Sequence, residues 1–236
     1  FAGNPYFVDL EALEKEGLLT AADLKAESWG KDPLEVDYGT LYVSRFAVLR
    51  KAYAAWRSQC AGLHGCAYYY PDDYYTFTLA NEDWLEDYAL FQAIRKQYGG
   101  MPWQQWPEAL KERNPEALAR AGQELAEEVT RAAGKQYVFF KAWGKIRRAA
   151  RDRGITLLGD MPLFVAPDSA DVWAHREYFQ LDGDGYPTEV AGVPPDYFSA
   201  QGQVWGNPLY RWDAMAQDGW RWWQERFRVL GEEADW

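Results

Sequence analysis

Gly154-Ile155-Thr156-Leu157-Leu158-Gly159-Asp160 sets a helix-ending glycine before a short apolar run without alternation, closed by a second glycine and a charge. A run of that kind is what a strand buried on both faces needs. Upstream, Leu118, Ala121, Leu125 and Val129 keep helical spacing, and the pattern resumes after Gly134 with Tyr137, Phe140, Trp143 and Ile146 until Gly154 ends it. Helix, one glycine and a doubly buried strand make the α-to-β half of a parallel unit, so the fold class reads as α/β. The expectation is a single long buried strand over 155–160 whose parallel neighbours these 236 residues do not supply. Barrels of parallel α/β units carry their chemistry at the carboxyl ends of strands, which singles out Asp160.

The first half reads as helices. Asn81, Glu82 and Asp83 start one, with Trp84, Tyr88, Phe91, Ile94 and Tyr98 on a single face before Gly99 and Gly100 stop it. Asn114 and Pro115 start another, a capping side chain followed by the ring that the first helical position tolerates. Near the end Trp220, Trp223, Phe227 and Leu230 mark one face of a last helix. Asp182-Gly183-Asp184-Gly185 has the residues of a hairpin turn between 178–181 and 188–191. A calcium loop opening at Asp182 is excluded, because Pro187 would stand at its sixth position and Val193 at its twelfth.

With 25 basic and 36 acidic residues the net charge is −11, which repels polyanions and sets aside nucleic acid and anionic membranes as partners. Composition is 48% hydrophobic, yet no apolar stretch nears the roughly 20 residues of a membrane span. Cys60 and Cys66 are too few for a disulfide-stapled scaffold, and the reading is of a cytoplasmic protein. Cys60, His64 and Cys66 fit no zinc spacing and read as solvated thiols in a variable loop; no metal and no cofactor is expected. Aromatic residues make 17% of the chain, more than filling a core of this size requires, and flat apolar faces with polar edges suit sugars.

From Ala191 to Tyr210, Gly192, Pro194, Pro195, Gly202, Gly206 and Pro208 speak against regular structure, while Asp196, Tyr197, Phe198, Gln203, Trp205 and Asn207 offer rings and hydrogen-bonding groups. Long loops of this kind usually carry function. The alternative is a packed surface loop covering an apolar patch.

Two motifs here are specific. Gly159-Asp160-Met161-Pro162-Leu163-Phe164-Val165-Ala166, with Asp168-Ser169-Ala170-Asp171-Val172-Trp173 behind it, closely resembles the segment around the third barrel strand of the 4-α-glucanotransferases. Ala191-Gly192-Val193-Pro194-Pro195-Asp196-Tyr197-Phe198-Ser199 with Gly202-Gln203-Val204-Trp205-Gly206-Asn207-Pro208-Leu209-Tyr210 resembles that family's mobile loop over the active site. Phe1-Ala2-Gly3-Asn4-Pro5-Tyr6 and Val36-Asp37-Tyr38-Gly39 match earlier landmarks, and the tract 60–78 matches none.

The resemblance implies a partial (β/α)8 TIM barrel with a large, mostly helical inserted subdomain, the insertion over 1–135 and part of the barrel over 136–236. It implies transfer of α-1,4-glucan segments between maltooligosaccharides by a retaining double displacement, which needs two carboxyl groups about 5 Å apart. The family's nucleophile lies in an Arg-Ile-Asp-His-Phe-Arg-Gly motif that does not occur in this sequence, so the chain reads as a fragment without the catalytic carboxylates. Asp160 then matches the aspartate that organises the donor subsite beside the nucleophile. Asp196, Gln203 and Trp205 match loop residues that touch glucan, Tyr197 and Phe198 the loop's tip, and Tyr42 a tyrosine of an outlying glucan site. Two rivals stand beside this reading. One is an α-glucan hydrolase, in which water replaces the sugar acceptor; the other is a non-catalytic helical carbohydrate-binding module.

Overall fold

The computed structural model describes residues 2–32, 34–64 and 72–235, with side chains for all of them except 61–64. In chain order the helices of the first half are α1 (Leu10–Lys15), α2 (Ala21–Lys25), α3 (Tyr38–His64), α4 (Asp72–Ala80), α5 (Glu82–Gln97), α6 (Glu108–Lys111) and α7 (Pro115–Glu124). Then follow α8 (Ala126–Arg151), α9 (Ala170–Ala174), β1 (Val190–Val193), β2 (Gln203–Pro208), α10 (Trp212–Gln217) and α11 (Arg221–Glu233). Packing divides the chain into two compact units. One comprises Ala2–Leu85 and Ala133–Ile146, the other Glu86–Ala132 and Arg147–Trp236.

Helix ends follow local chemistry. Asp9 accepts from the Ala12 amide to cap α1, and Thr20 with Asp23 forms a reciprocal box at α2. Asn114 accepts from the Glu116 and Ala117 amides ahead of Pro115, as the sequence predicts. Asn81 acts differently. Its side chain accepts from the Trp84 indole and donates to the Phe77 carbonyl, stitching α4 to α5 instead of capping α5.

The unit of Ala2–Leu85 and Ala133–Ile146 is helical, and Val8, Leu13, Leu18, Leu19, Val48, Leu49 and Ala52 form its core. A clasp between Gly3 and Gln136 ties its two segments together. The Gly3 amide donates to Gln136 Oε1 at 2.6 Å, and Gln136 Nε2 donates back to the Gly3 carbonyl at 3.0 Å, with Gln136 wholly buried. A Cβ on Gly3 would lie 2.0 Å from the Phe139 ring, so only glycine brings the backbone this near. Gly134 does not interrupt α8; its bare Cα faces the Tyr53 ring, which a Cβ would meet at 3.3 Å. The break lies earlier, at Leu125 between α7 and α8, where φ is −106 and ψ is 17. Cys60 is no loop thiol: it is buried within α3, and desolvation raises its pKa. Cys66 lies outside the described residues, as does the His64 side chain.

The other unit packs Phe91, Ile94, Trp103, Trp106, Trp173, Phe179, Tyr210, Met215 and Trp222 into one core. Three of its buried indoles have their N–H satisfied: Trp103 by the Pro167 carbonyl, Trp106 by that of Met101, Trp173 by that of Leu110. These rings account for much of the aromatic excess, which the composition had suggested was reserved for sugars. Arg95 pairs with Asp168 at 2.9 Å and that carboxylate also accepts from the Trp103 amide, so Asp168 is a structural tie.

The apolar run 155–158 is not the buried strand that the sequence leads one to expect. Ile155 is 53% exposed and Leu158 84%. The Ile155 amide only closes the end of α8, donating to the Ala150 carbonyl at 2.9 Å, while the Leu157 amide donates to Asp235 Oδ2 and its carbonyl accepts from the Asp235 amide. Without parallel neighbours among the described residues, the run has neither a ladder for its amides nor elements to cover its two faces. The last helix is corrected too. Its buried stripe is Trp222, Arg226 and Val229, one register from the expected one, since Trp220 precedes α11 at φ 66 and Phe227 is 59% exposed.

The clasp is testable in the full-length protein. Replacing Gln136 by Leu strands the Gly3 amide and carbonyl in the interior, and two orphaned groups cost about 2–4 kcal/mol. Urea unfolding should shift to lower midpoint accordingly; a loss under about 0.5 kcal/mol would show the clasp dispensable.

Candidate functional site

The segment that follows Asp160 meets the base of the β1–β2 hairpin. The strands run antiparallel, with Gly192 opposite Val204 and Val193 opposite Gln203, and the register slips between Val190 and Gly192. The glycines and prolines of 191–210 therefore do not forbid regular structure, contrary to expectation. They permit it: a Cβ on Gly192 would stand 2.5 Å from the Gln203 carbonyl, and one on Gly202, whose φ is +73, 2.5 Å from that of Val193. Pro194 and Pro195 fall in the connecting loop and Pro208 at the end of β2, where a missing amide does least harm.

Three side chains bind the carbonyls of the irregular segment 162–165. Arg226 of α11 donates to the Pro162 carbonyl, the Tyr210 hydroxyl to that of Leu163 at 2.6 Å, and Asn207 Nδ2 to that of Val165 at 2.7 Å. Arg226 itself lies over the rings of Trp222 and Trp223, at 4.4 and 4.9 Å from their centroids. Burial lowers its pKa, against the influence of Tyr210 and Asp171. Burial likewise raises the pKa of Tyr210, which stays a neutral donor at pH 7.

Between these anchors the Phe164 ring stacks on Tyr210, 6.0 Å apart and 8° from parallel, and meets Trp205 edge-on at 6.1 Å. Trp205 and Gln203 stand two apart on β2 and so share a face. The Trp205 indole N–H donates to Gln203 Oε1 at 3.0 Å, which fixes the ring while about half of Trp205 stays exposed. Phe164, Gln203 and Trp205 thus make one surface of ring and amide. At the loop tip Asp196 Oδ1 accepts from the Phe198 and Ser199 amides at 2.9 and 2.8 Å, and Ser199 Oγ donates to the Gly202 carbonyl. Asp196 is thereby a builder of the tip. Tyr197 and Phe198 project from it, 97% and 88% exposed, their rings edge to face at 5.5 Å.

Asp160, four residues before Phe164, is exposed, and its carboxylate neither caps a turn nor pairs with another described residue. Tyr42 lies in the other compact unit, on α3, exposed and packed by its ring edge against Phe46 at 5.3 Å. Neither is joined by a hydrogen bond or ring contact to Gln203 and Trp205. Among the described residues no group of three or more His, Cys, Asp or Glu side chains could hold a metal ion, and no helix is long and apolar enough to cross a membrane. Sequence reading missed the anchors Tyr210 and Arg226. A cation placed four residues after Trp222 and three before Val229, inside an apolar stripe, is the signal that marks Arg226.

Known proteins resemble this chain in sequence and in fold. The 4-alpha-glucanotransferase family model matches residues 1–236. A 4-alpha-glucanotransferase of Thermus thermophilus is 44% identical over 229 residues, which are 96% of this chain and 43% of that protein. One of Streptococcus pneumoniae is 40% identical, over 97% of this chain and 44% of its own length. In structure, the amylomaltase of Streptococcus agalactiae, solved in complex with acarbose, superposes with a TM-score of 0.89 at 36% identity, over 100% of this chain and 46% of that one. That likeness puts the fold in the α/β class. The chain spans less than half the length of these relatives, and it belongs to the 4-alpha-glucanotransferase family.

Proposed function

We propose that the protein to which these residues belong transfers α-1,4-glucan segments between maltooligosaccharides by a retaining double displacement. The observation that carries this is the anchoring of segment 162–165, just after Asp160, beneath the hairpin that bears Gln203 and Trp205. A sugar needs an apolar face for its C–H groups and fixed polar atoms for its hydroxyls. Trp205 with Phe164 offers the first, Gln203 and the free carboxylate of Asp160 the second. In this reading Asp160 organises the donor subsite, while the nucleophile and acid/base carboxyls lie outside the 236 residues. The same reading makes 136–236 part of a (β/α)8 barrel and 1–135 its helical insertion, acting in the cytoplasm. Asp196 shapes the tip, Tyr197 and Phe198 close over bound glucan, and Tyr42 serves an outlying glucan site.

Transfer must keep water from the glycosyl intermediate until a sugar hydroxyl arrives, which is the task of a lid. Incubated with maltotriose, the full-length protein should yield glucose and longer oligosaccharides with no net gain of reducing ends. A steady rise in reducing ends would mark a hydrolase, and binding without turnover a carbohydrate-binding module. Trp205→Ala should raise hydrolysis, read as new reducing ends, several-fold relative to transfer; an unchanged ratio with unchanged glucan affinity would remove the hairpin from the role of lid. A polypeptide of these 236 residues alone should leave maltotriose intact, because general acid/base help alone is worth roughly 10²- to 10⁴-fold and on this reading the nucleophile and acid/base carboxyls are not among them. Chain-length redistribution that survives Asp160→Asn would show the catalytic pair to lie within it.

A further inference from the structure

A shallow cleft of about 520 Å³ opens elsewhere on the hairpin-bearing unit, lined by Gln180, Thr188, Tyr210, Arg211, Trp212 and Asp213. Its central ring is held firmly. Trp212 stacks on Trp223 at 6.0 Å and 20°, with Tyr210 at 5.0 Å and Trp220 at 6.1 Å along its edges, and 52% of Trp212 still faces solvent. On either side in sequence, Arg211 and Asp213 are exposed, and their side chains bond to no other described residue. Gln180 gives its Nε2 to the Tyr210 carbonyl and keeps Oε1 available, and the Thr188 hydroxyl, donating to the Gln180 carbonyl, keeps its lone pairs.

We infer that this cleft binds an α-glucan chain, with Trp212 as the platform for a glucose ring and Arg211 and Asp213 gripping adjacent hydroxyls. A pre-oriented indole half open to water offers a flat face without further ordering cost, which suits the C–H face of a sugar. The side chains beside it present five donors and a four-lone-pair acceptor within three residues, matching neighbouring hydroxyls that each donate and accept. Their opposite charges cancel, so the cleft favours neither an anion nor a cation. The glucan identity of the ligand rests on the function proposed above.

Affinity electrophoresis of the full-length protein in gels containing amylose, against gels without it, tests the site. Trp212→Ala should weaken the apparent affinity for amylose about tenfold, as the loss of one stacked ring does. Trp212→Tyr should restore most of it, and Arg211→Ala with Asp213→Ala should also weaken it. The double variant changes only exposed, unbonded side chains and decides the matter if Trp212→Ala does not fold. Unchanged retention in the double variant and in whichever Trp212 variants fold would overturn the site, as would wild-type protein that amylose does not retard. Wild-type protein that amylose retards through Trp212 but that transfers nothing from maltotriose would leave the cleft standing and remove the proposed activity.

Discussion

Peptide carbonyls that leave regular structure must still find donors, and at 162–165 they find them in the side chains of Arg226, Tyr210 and Asn207. The three donors come from α11, from the residue two places beyond β2, and from β2 itself. One irregular segment is thus the common partner of the hairpin and the last helix. Removing any donor would leave a carbonyl short of its partner, at about 1–3 kcal/mol when buried. Arg226 is costly to enclose, and the Trp222 and Trp223 faces lower that cost by giving the guanidinium a favourable surface. Its conspicuous placement in an apolar stripe follows from the carbonyl it must reach.

The hairpin built on this anchor has two ends with opposite character. At its base Phe164, Trp205 and Tyr210 interlock and Asn207 is bonded, whereas at its tip Tyr197 and Phe198 are almost wholly solvated. Exposing two large rings loses about 1.5–3 kcal/mol for each relative to burial, so nothing in the fold of this unit explains them. The tip backbone is nevertheless ordered by Asp196 and Ser199. An ordered backbone presenting unburied rings is suited to meet something that is not part of it.

Local chemistry was legible in the sequence wherever it depended on neighbours along the chain. Asn114 before Pro115 gave the start of α7, Gly99 and Gly100 the stop of α5, and Asp182 through Gly185 a turn in which Asp182 Oδ1 accepts from the Asp184 and Tyr186 amides. Gln203 and Trp205 were also singled out, first by the rings and amides that 191–210 offer and then by the resemblance. What was not legible depended on partners remote in sequence. Ile155 to Leu158 has the composition of a doubly buried strand, but burial is conferred by neighbours that the described residues lack. Gly192 and Gly202 looked like breakers because composition cannot reveal that a carbonyl would stand 2.5 Å from an added Cβ. For the last helix the period was right and the phase wrong, since three Trp in four positions from 220 to 223 satisfy more than one register.

Tyr210 bears on how the hairpin face and the Trp212 cleft can be told apart. Its hydroxyl holds the Leu163 carbonyl, its ring stacks on Phe164, and the same ring touches Trp212 at 5.0 Å. The residue therefore supports both surfaces, and a change there would alter each without separating them. Trp212 and Trp205 have no ring contact with each other and meet Tyr210 and Phe164 respectively. The ring contacts that join the two indoles run through that stacked pair, whose planes lie 8° from parallel. Additive losses from the two tryptophans would thus mean two independent uses of an aromatic face, whereas strong non-additivity would mean one extended surface organised by Tyr210.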